Sequence, residues 1–161
     1  MRVYVNDSCS ESETSVEIHC RIVDNRIDKL KRYIEKFDET LTGKVDGETV
    51  RLQTRDILYV EAVDNKVFIY TSNKVYETEQ KLYELETILD SRDFFRCNKS
   101  TIVNINLIAS LRPELSRNVR ATMINGEIVM ISRRSVKAFT ELISDAKGAD
   151  KITKEAYKGG D

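Results

Sequence analysis

The chain has no tryptophan, one proline and one histidine in 161 residues. A single proline excludes a proline-rich linker or ligand segment. The lone His19 has no second histidine and no paired Ser or Cys, so it supports neither a metal centre nor a nucleophile–base pair. It is expected on the polar side of its segment. Cys9, Cys20 and Cys97 are an odd count without C-x-x-C spacing, which excludes a disulfide framework or a zinc site and suits reduced thiols. No apolar run approaches the length that spans a bilayer. The start, Met1-Arg2-Val3-Tyr4-Val5, has neither the apolar core nor the cleavage site of a signal peptide, so a cytoplasmic protein is expected. There is no Gly-rich phosphate loop, no His-Glu-x-x-His and no nucleophile elbow. Neither an enzyme nor a cofactor is expected.

What the chain does have is charge, unevenly placed. The formal net charge is −1, and charged residues make up 33% of the sequence. Between Arg96 and Ala138, however, eight Lys or Arg meet only two acids, Glu114 and Glu127. The residues before Arg96 carry 14 basic and 20 acidic side chains. A local excess of fixed cations is what a phosphate-binding face needs, because displaced counterions supply most of the affinity for DNA. An acidic protein partner fits the same face, and a solvated surface is the bland alternative for any one of these residues.

The apolar pattern switches period along the chain. Val3 and Val5, then Val16, Ile18, Cys20 and Ile22, alternate with polar neighbours and predict strands around a polar loop at 7–15. After Asp24, a helix N-cap, the spacing becomes three and four through Ile27, Leu30, Tyr33, Ile34, Phe37 and Leu41. Gly43 reads as a break and Asp46-Gly47 as a turn. Strands are then predicted at Val50–Leu52, Ile57–Ala62, Val67–Thr71 and Val75–Tyr76, with turns at Asp64-Asn65-Lys66 and Ser72-Asn73. A short helix over Gln80–Leu89 precedes strands at Phe94–Cys97, Ser100–Val103, Leu107–Leu111, Val119–Met123 and Ile128–Ile131. Asn125-Gly126 is the strongest hairpin signal. A last helix is expected over Arg134–Ser144. The fold class is mainly β: an antiparallel β domain with short helices at 42–147, after a small α+β N-terminal module at 1–41. A polar tail at 148–161 is expected to fray.

The two basic clusters are Phe94-Phe95-Arg96-Cys97-Asn98-Lys99-Ser100-Thr101-Ile102-Val103-Asn104 and Ile131-Ser132-Arg133-Arg134-Ser135. Together with Ile57-Leu58-Tyr59-Val60-Glu61-Ala62 and Leu82-Tyr83-Glu84-Leu85-Glu86, and in this order, they resemble the LytTR DNA-binding domain. The resemblance runs from about Gly43 to Ile143. It implies a mostly antiparallel β domain that presents loops, rather than a recognition helix, to the major groove of duplex DNA. Asn98 stands where the family often has His. Only about forty residues precede the domain, too few for a receiver domain, so the chain looks like a free-standing LytTR transcriptional regulator.

The resemblance puts Lys99 and Arg134 at loop positions that face the groove, where Arg and Lys reach guanine O6 and N7. Lys66, or Val67 beside it, aligns with a third base contact. Arg96, Asn98, Arg117, Asn118, Arg133 and Lys137 are expected on phosphates, which position the protein without specifying sequence. Ser100 and Asn104 are expected to bond the backbone of the turns that aim Lys99. Cys97 is expected to be a half-buried strand cysteine, with a redox sensor beside Arg96 as the alternative. The 1–41 module is too small to bury its own apolar face. It is expected either to join two copies in a symmetric homodimer on promoter repeats or to fold back on the β domain.

Overall fold

The protein is described here from a computed structural model, which covers residues 4–5, 15–37 and 39–145. Asp24 caps helix α1 (Asn25–Glu35): its carboxylate accepts the backbone N–H of Arg26 at 3.0 Å and of Ile27 at 3.1 Å. These bonds satisfy two of the donors that a helix start leaves open. Seven strands follow in one antiparallel sheet: β1 (Thr40–Val45), β2 (Glu48–Gln53), β3 (Ile57–Val63), β4 (Lys66–Thr71), β5 (Val75–Thr78), β6 (Phe94–Arg96) and β7 (Thr101–Asn104). Helix α2 (Leu82–Ile88) lies between β5 and β6 in the chain. A second antiparallel sheet holds β8 (Ile108–Pro113), β9 (Val119–Met123) and β10 (Ile128–Ile131), and helix α3 (Val136–Asp145) follows. The strand orders are β2-β1-β5-β4-β3-β7-β6 and β10-β9-β8. The domain is thus mainly antiparallel β with short helices.

Hairpins set the register. Asp46 and Gly47 (φ 52° and 80°) turn β1 into β2, and Asp64 and Asn65 (φ 49° and 64°) turn β3 into β4. Both positions of each turn are left-handed, the geometry that matches strand twist. Apolar side chains fill two cores, one on each side of the larger sheet. Ile57, Val60, Ile69 and Ile102 pack with Leu82, Leu85 and Leu89 around α2. Leu58, Tyr59 and Val103 pack with Met123, Ile131 and Phe139, joining the second sheet and α3. A register shift between Ile57 and Tyr59 lets β3 send Leu58 and Tyr59 to the same core.

Four expectations are corrected. Residues 15–22 form no strand and are mostly exposed; alternation alone does not make a strand without a neighbour to pair its backbone. Val3 and most of the predicted 7–15 loop lie outside the described residues, as does the 148–161 tail. The α1 stripe does not reach Leu41, which is buried in β1. Gly43 is no break but the middle of that strand. A Cβ there would stand 2.7 Å from Tyr76 Cβ and 2.9 Å from Leu52 Cδ1, so the close approach of neighbouring side chains needs glycine. Strand β1 begins at Thr40, so Thr40 and Leu41 belong to the seven-stranded sheet.

Candidate nucleic-acid interface

The strand β7 has two chemically different ends. At its Thr101 end, Ala62 N–H donates to Ser100 O at 2.8 Å, which brings the β3–β4 turn beside the β6–β7 loop. Ser132 N–H donates to Cys97 O at 2.9 Å, bonding the segment after β10 to the same loop. Arg133 N–H donates to Asn118 Oδ1 at 2.9 Å, which adds the β8–β9 loop. Four connections therefore stand side by side: the 64–65 turn, the 97–100 loop, the 132–135 segment and the 114–118 loop.

Polar side chains bond this frame together. Asn98 Oδ1 accepts from Ser100 N–H at 2.9 Å and from Ser100 Oγ at 3.2 Å, while Asn98 Nδ2 donates to Met130 O at 2.9 Å. Arg96 Nε donates to Asn98 O at 2.9 Å, its Nη2 to Lys99 O, and its Nη1 to Glu86 of α2 at 2.8 Å. Beyond the frame, Ser135 N–H donates to Ser132 O at 2.8 Å and starts α3, with Lys137 in its first turn. The Cys97 thiol is fully buried and donates to Thr101 O at 3.3 Å. Burial pushes its pKa up to about 12, which disfavours the reactive thiolate and with it the redox alternative. The cysteine is wholly rather than half buried.

The predicted site residues divide by what their side chains do. Lys99, Arg117, Arg133, Arg134 and Lys137 are exposed, and none has an acidic partner among the described residues. Arg117 holds a left-handed φ of 65°. Lys66 opens β4 opposite Val63, at the same end as Ser100, and its ammonium lies 3.2 Å from Glu77. Arg96, Asn98 and Asn118 are engaged inside the frame. Asn104 is buried at the far end of β7, where Nδ2 donates to Ile57 O at 2.9 Å and Oδ1 accepts from Asn106 N–H. It bonds the wrong turn to aim Lys99; Ser100, in the same loop as Lys99, does bond locally. The inward role of Asn98 had one signal in the sequence: an Asn two residues before a Ser, a pattern that closes on its own backbone. Its long-range acceptor, Met130 O, had none. Among the described residues no cluster of His, Cys, Asp or Glu is placed to hold a metal, and no helix is long and apolar enough to cross a membrane.

The architecture is that of a β domain with a row of cation-bearing loops at one end. The family model described as "LytTr DNA-binding domain" matches residues 47–144. The chain belongs to the LytTR DNA-binding domain family. Among solved structures it is similar to the LytTr DNA-binding domain of a Bacillus cereus protein described as a methyl-accepting/DNA response regulator. That likeness has a TM-score of 0.62 and 28% identity, and it covers 65% of this chain and 95% of that one. Among curated proteins it is similar to an uncharacterized HTH-type transcriptional regulator of Staphylococcus aureus strain NCTC 8325. The two are 27% identical over 146 residues, covering 89% of this chain and 97% of the relative. The counterpart in the bovine strain RF122 is 26% identical over the same length. The helix-turn-helix in those names has no equivalent among the described residues, where no two helices follow one another in the chain.

Proposed function

We propose that this protein is a sequence-specific transcriptional regulator that binds duplex DNA in the bacterial cytoplasm, reading the major groove through loops and catalysing no reaction. The observation that carries the proposal is the bonded row of loops with its five unpaired cations. Lys99 and Arg134 read bases, with Lys66 as a third contact once it leaves Glu77. Arg117, Arg133 and Lys137 meet phosphates. Arg96 and Asn98, assigned to phosphates on the sequence alone, are better suited to positioning. Their polar atoms hold the Lys99 loop, and an atom already bonded has little left to offer a phosphate. Asn118 keeps its amide nitrogen for a phosphate while its oxygen holds Arg133.

Binding of a random-sequence duplex across a salt series tests this. Affinity should fall steeply with salt, and Arg117→Ala and Lys137→Ala should each flatten the slope by roughly one unit. Unchanged slopes in both variants would put the DNA face elsewhere. Binding to an acidic protein surface without any binding to duplex would favour the interaction-module alternative.

The same proposal includes a homodimer through the N-terminal segment on paired promoter sites. Its support is α1, which has no buried residue, and the two aromatic side chains there, Tyr33 on the helix and Phe37 just after it, which are about half exposed (54% and 49%). Two copies bound together would add specificity that one small footprint lacks. Light scattering on the full chain should give a dimer, and on a Tyr33→Glu, Phe37→Glu double variant a monomer. A monomeric wild type at micromolar concentration would sink the dimer.

A further inference from the structure

The two sheets have four edge strands among the described residues, and they are guarded unequally. β6 has only three residues. β8 carries a register shift between Ile108 and Ser110 and ends on Pro113. β10 has four residues, and its Met130 O is taken by Asn98 Nδ2. Shortness, bulges, proline and side-chain cover are ways to keep a sheet edge from pairing with another chain. β2 has none of them. Its six residues pair with β1 in unbroken register, and its other side meets no strand among the described residues. Every second residue of an antiparallel strand points its backbone N–H and C=O away from the neighbour it pairs with. β2 therefore presents a row of open donors and acceptors.

The same chain holds a strand pattern without a sheet. Val16, Ile18, Cys20 and Ile22 alternate with Glu17, His19 and Arg21, and Val16 and Ile22 are 59% and 73% exposed. His19 Nε2 lies 3.3 Å from Glu17 Oε2, a contact that fits an extended backbone, where residues two apart share a face. The segment matches β2 in chemistry. Leu52 is in the core with Val50 packed against it, while Thr49 and Arg51 between and beside them are exposed. The segment can lie antiparallel to β2, as every pair in this sheet does, with Val16 opposite Leu52 and Ile18 opposite Val50. It then extends the apolar row past the edge. The same register sets Glu17 opposite Arg51, which has no acidic partner among the described residues. A shift of two residues either way sets Arg51 opposite Ser15 or His19 and loses the charge pair.

The segment is led away from the β2 edge of its own chain. Lys36 ties the end of α1 to Asp90 and Asp93, and α1 walls a cavity together with Leu111, Leu142 and Ile143 that no residue of β1 or β2 lines. With α1 held there, a second copy is what can bring a β2 edge to the segment. We propose that two copies exchange these segments: Val16–Ile22 of each adds a strand to the β2 edge of the other, with Glu17 facing Arg51 across the contact. This deepens the homodimer proposed above and rests on it. The exchange satisfies the open backbone row and covers apolar side chains that a single copy leaves in water. Exchange of an identical element is a low-cost route to a dimer, since each contact is made twice.

The test uses the full chain with Cys9→Ser and Cys20→Ser, which leaves the buried Cys97 as the one native thiol. Residues directly opposite on antiparallel strands have Cα atoms about 4.5–5.5 Å apart, within reach of a disulfide. Mixed and oxidised, a Glu17→Cys chain and an Arg51→Cys chain should give a disulfide-linked pair, and neither should do so alone. Arg51→Glu should weaken dimerisation roughly tenfold in a dilution series, because each dimer then holds two like-charge pairs. Adding Glu17→Arg to the same chain should restore it. A wild-type dimer whose cysteine mixture gives no link would overturn the exchange and leave the homodimer standing. So would Arg51→Cys chains that link to one another, because that joins the two β2 edges directly. A chain carrying both cysteines that links within itself, with no rise in mass, would overturn it too. A wild type that is monomeric at micromolar concentration would overturn the homodimer, and the exchange with it.

Discussion

At the Asn104 end of β7, cations are neutralised within the protein. Lys36 bonds Asp90 and Asp93, Arg92 bonds Asp90 at 2.8 Å, and Arg55 lies 4.2 Å over the Phe37 ring. At the Thr101 end, Lys99, Arg117, Arg133, Arg134 and Lys137 stand without acids among the described residues, and the polar bonds join loop to loop. The two ends differ in what the bonds are used for. Near Asn104 the ion pairs attach the segment after α1 to the domain. Near Thr101, amide and guanidinium groups fix the backbone and leave the tips bare. Counting Lys and Arg along the sequence cannot separate these cases. Pairing can, because a cation already compensated releases little when a phosphate arrives.

The largest effect that would sharpen this contrast is at the tips. Arg134→Ala and Lys99→Ala should each cost about 1–3 kcal/mol on a selected site and relax preference at one base position. Stability in urea should stay near that of the wild type. If both variants keep full discrimination, the bare tips are not the readers.

A smaller effect is expected at the opposite end. The Arg92 guanidinium, with Lys36 beside it, holds the Asp90 carboxyl well below the usual carboxylate range. The folded state thus prefers ionised Asp90, and its contribution is complete above the unfolded value of about 4 and lost as pH falls through the lower folded value. Asp90→Asn should cost about 1 kcal/mol at neutral pH and shrink the stability lost on acidification below about pH 4. Its salt slope on DNA should match the wild type. A changed slope would show that the two ends are electrostatically coupled. Smallest of all is the expected effect of the Tyr33→Glu, Phe37→Glu variant on affinity for a single site, although the proposed dimer predicts that its mass in solution is halved.

Much of the β domain was legible from local chemistry. β9 and β10 fall where alternation put them, and Asp46-Gly47, Asp64-Asn65 and Asn125-Gly126 each close a hairpin. These signals are local because a tight turn needs its own residues at positive φ, and a half-buried strand needs its own period of two. What was misread depended on distant neighbours. Gly43 looks like punctuation until Tyr76 is seen against it. Val16–Ile22 alternates correctly but pairs with no strand among the described residues. Leu41 fits the helical spacing, yet β2 and β5 draw it into a sheet. At the site, the residue types and the cluster were legible. Which polar groups face inward was not, because the acceptors that hold Arg96 and Asn98 to the loops, Asn98 O, Lys99 O and Met130 O, are backbone carbonyls, and carbonyls have no letter in the sequence.

The Asn98 bond to Met130 O and the Asn118 bond to Arg133 N–H have a consequence for how such a protein changes over generations. Both attach to main-chain atoms: every residue supplies the carbonyl, and every residue except proline supplies the N–H. The side chains of Lys99 and Arg134 take no part in holding the loops. On the reading proposed above, substitution at those two positions would alter which operator is recognised and leave the bonds between the loops intact. Substitution at 98 or 118 removes one of those bonds. The loop row behaves like a fixed holder with exchangeable bits, and divergence in operator choice between relatives should be concentrated at the bits.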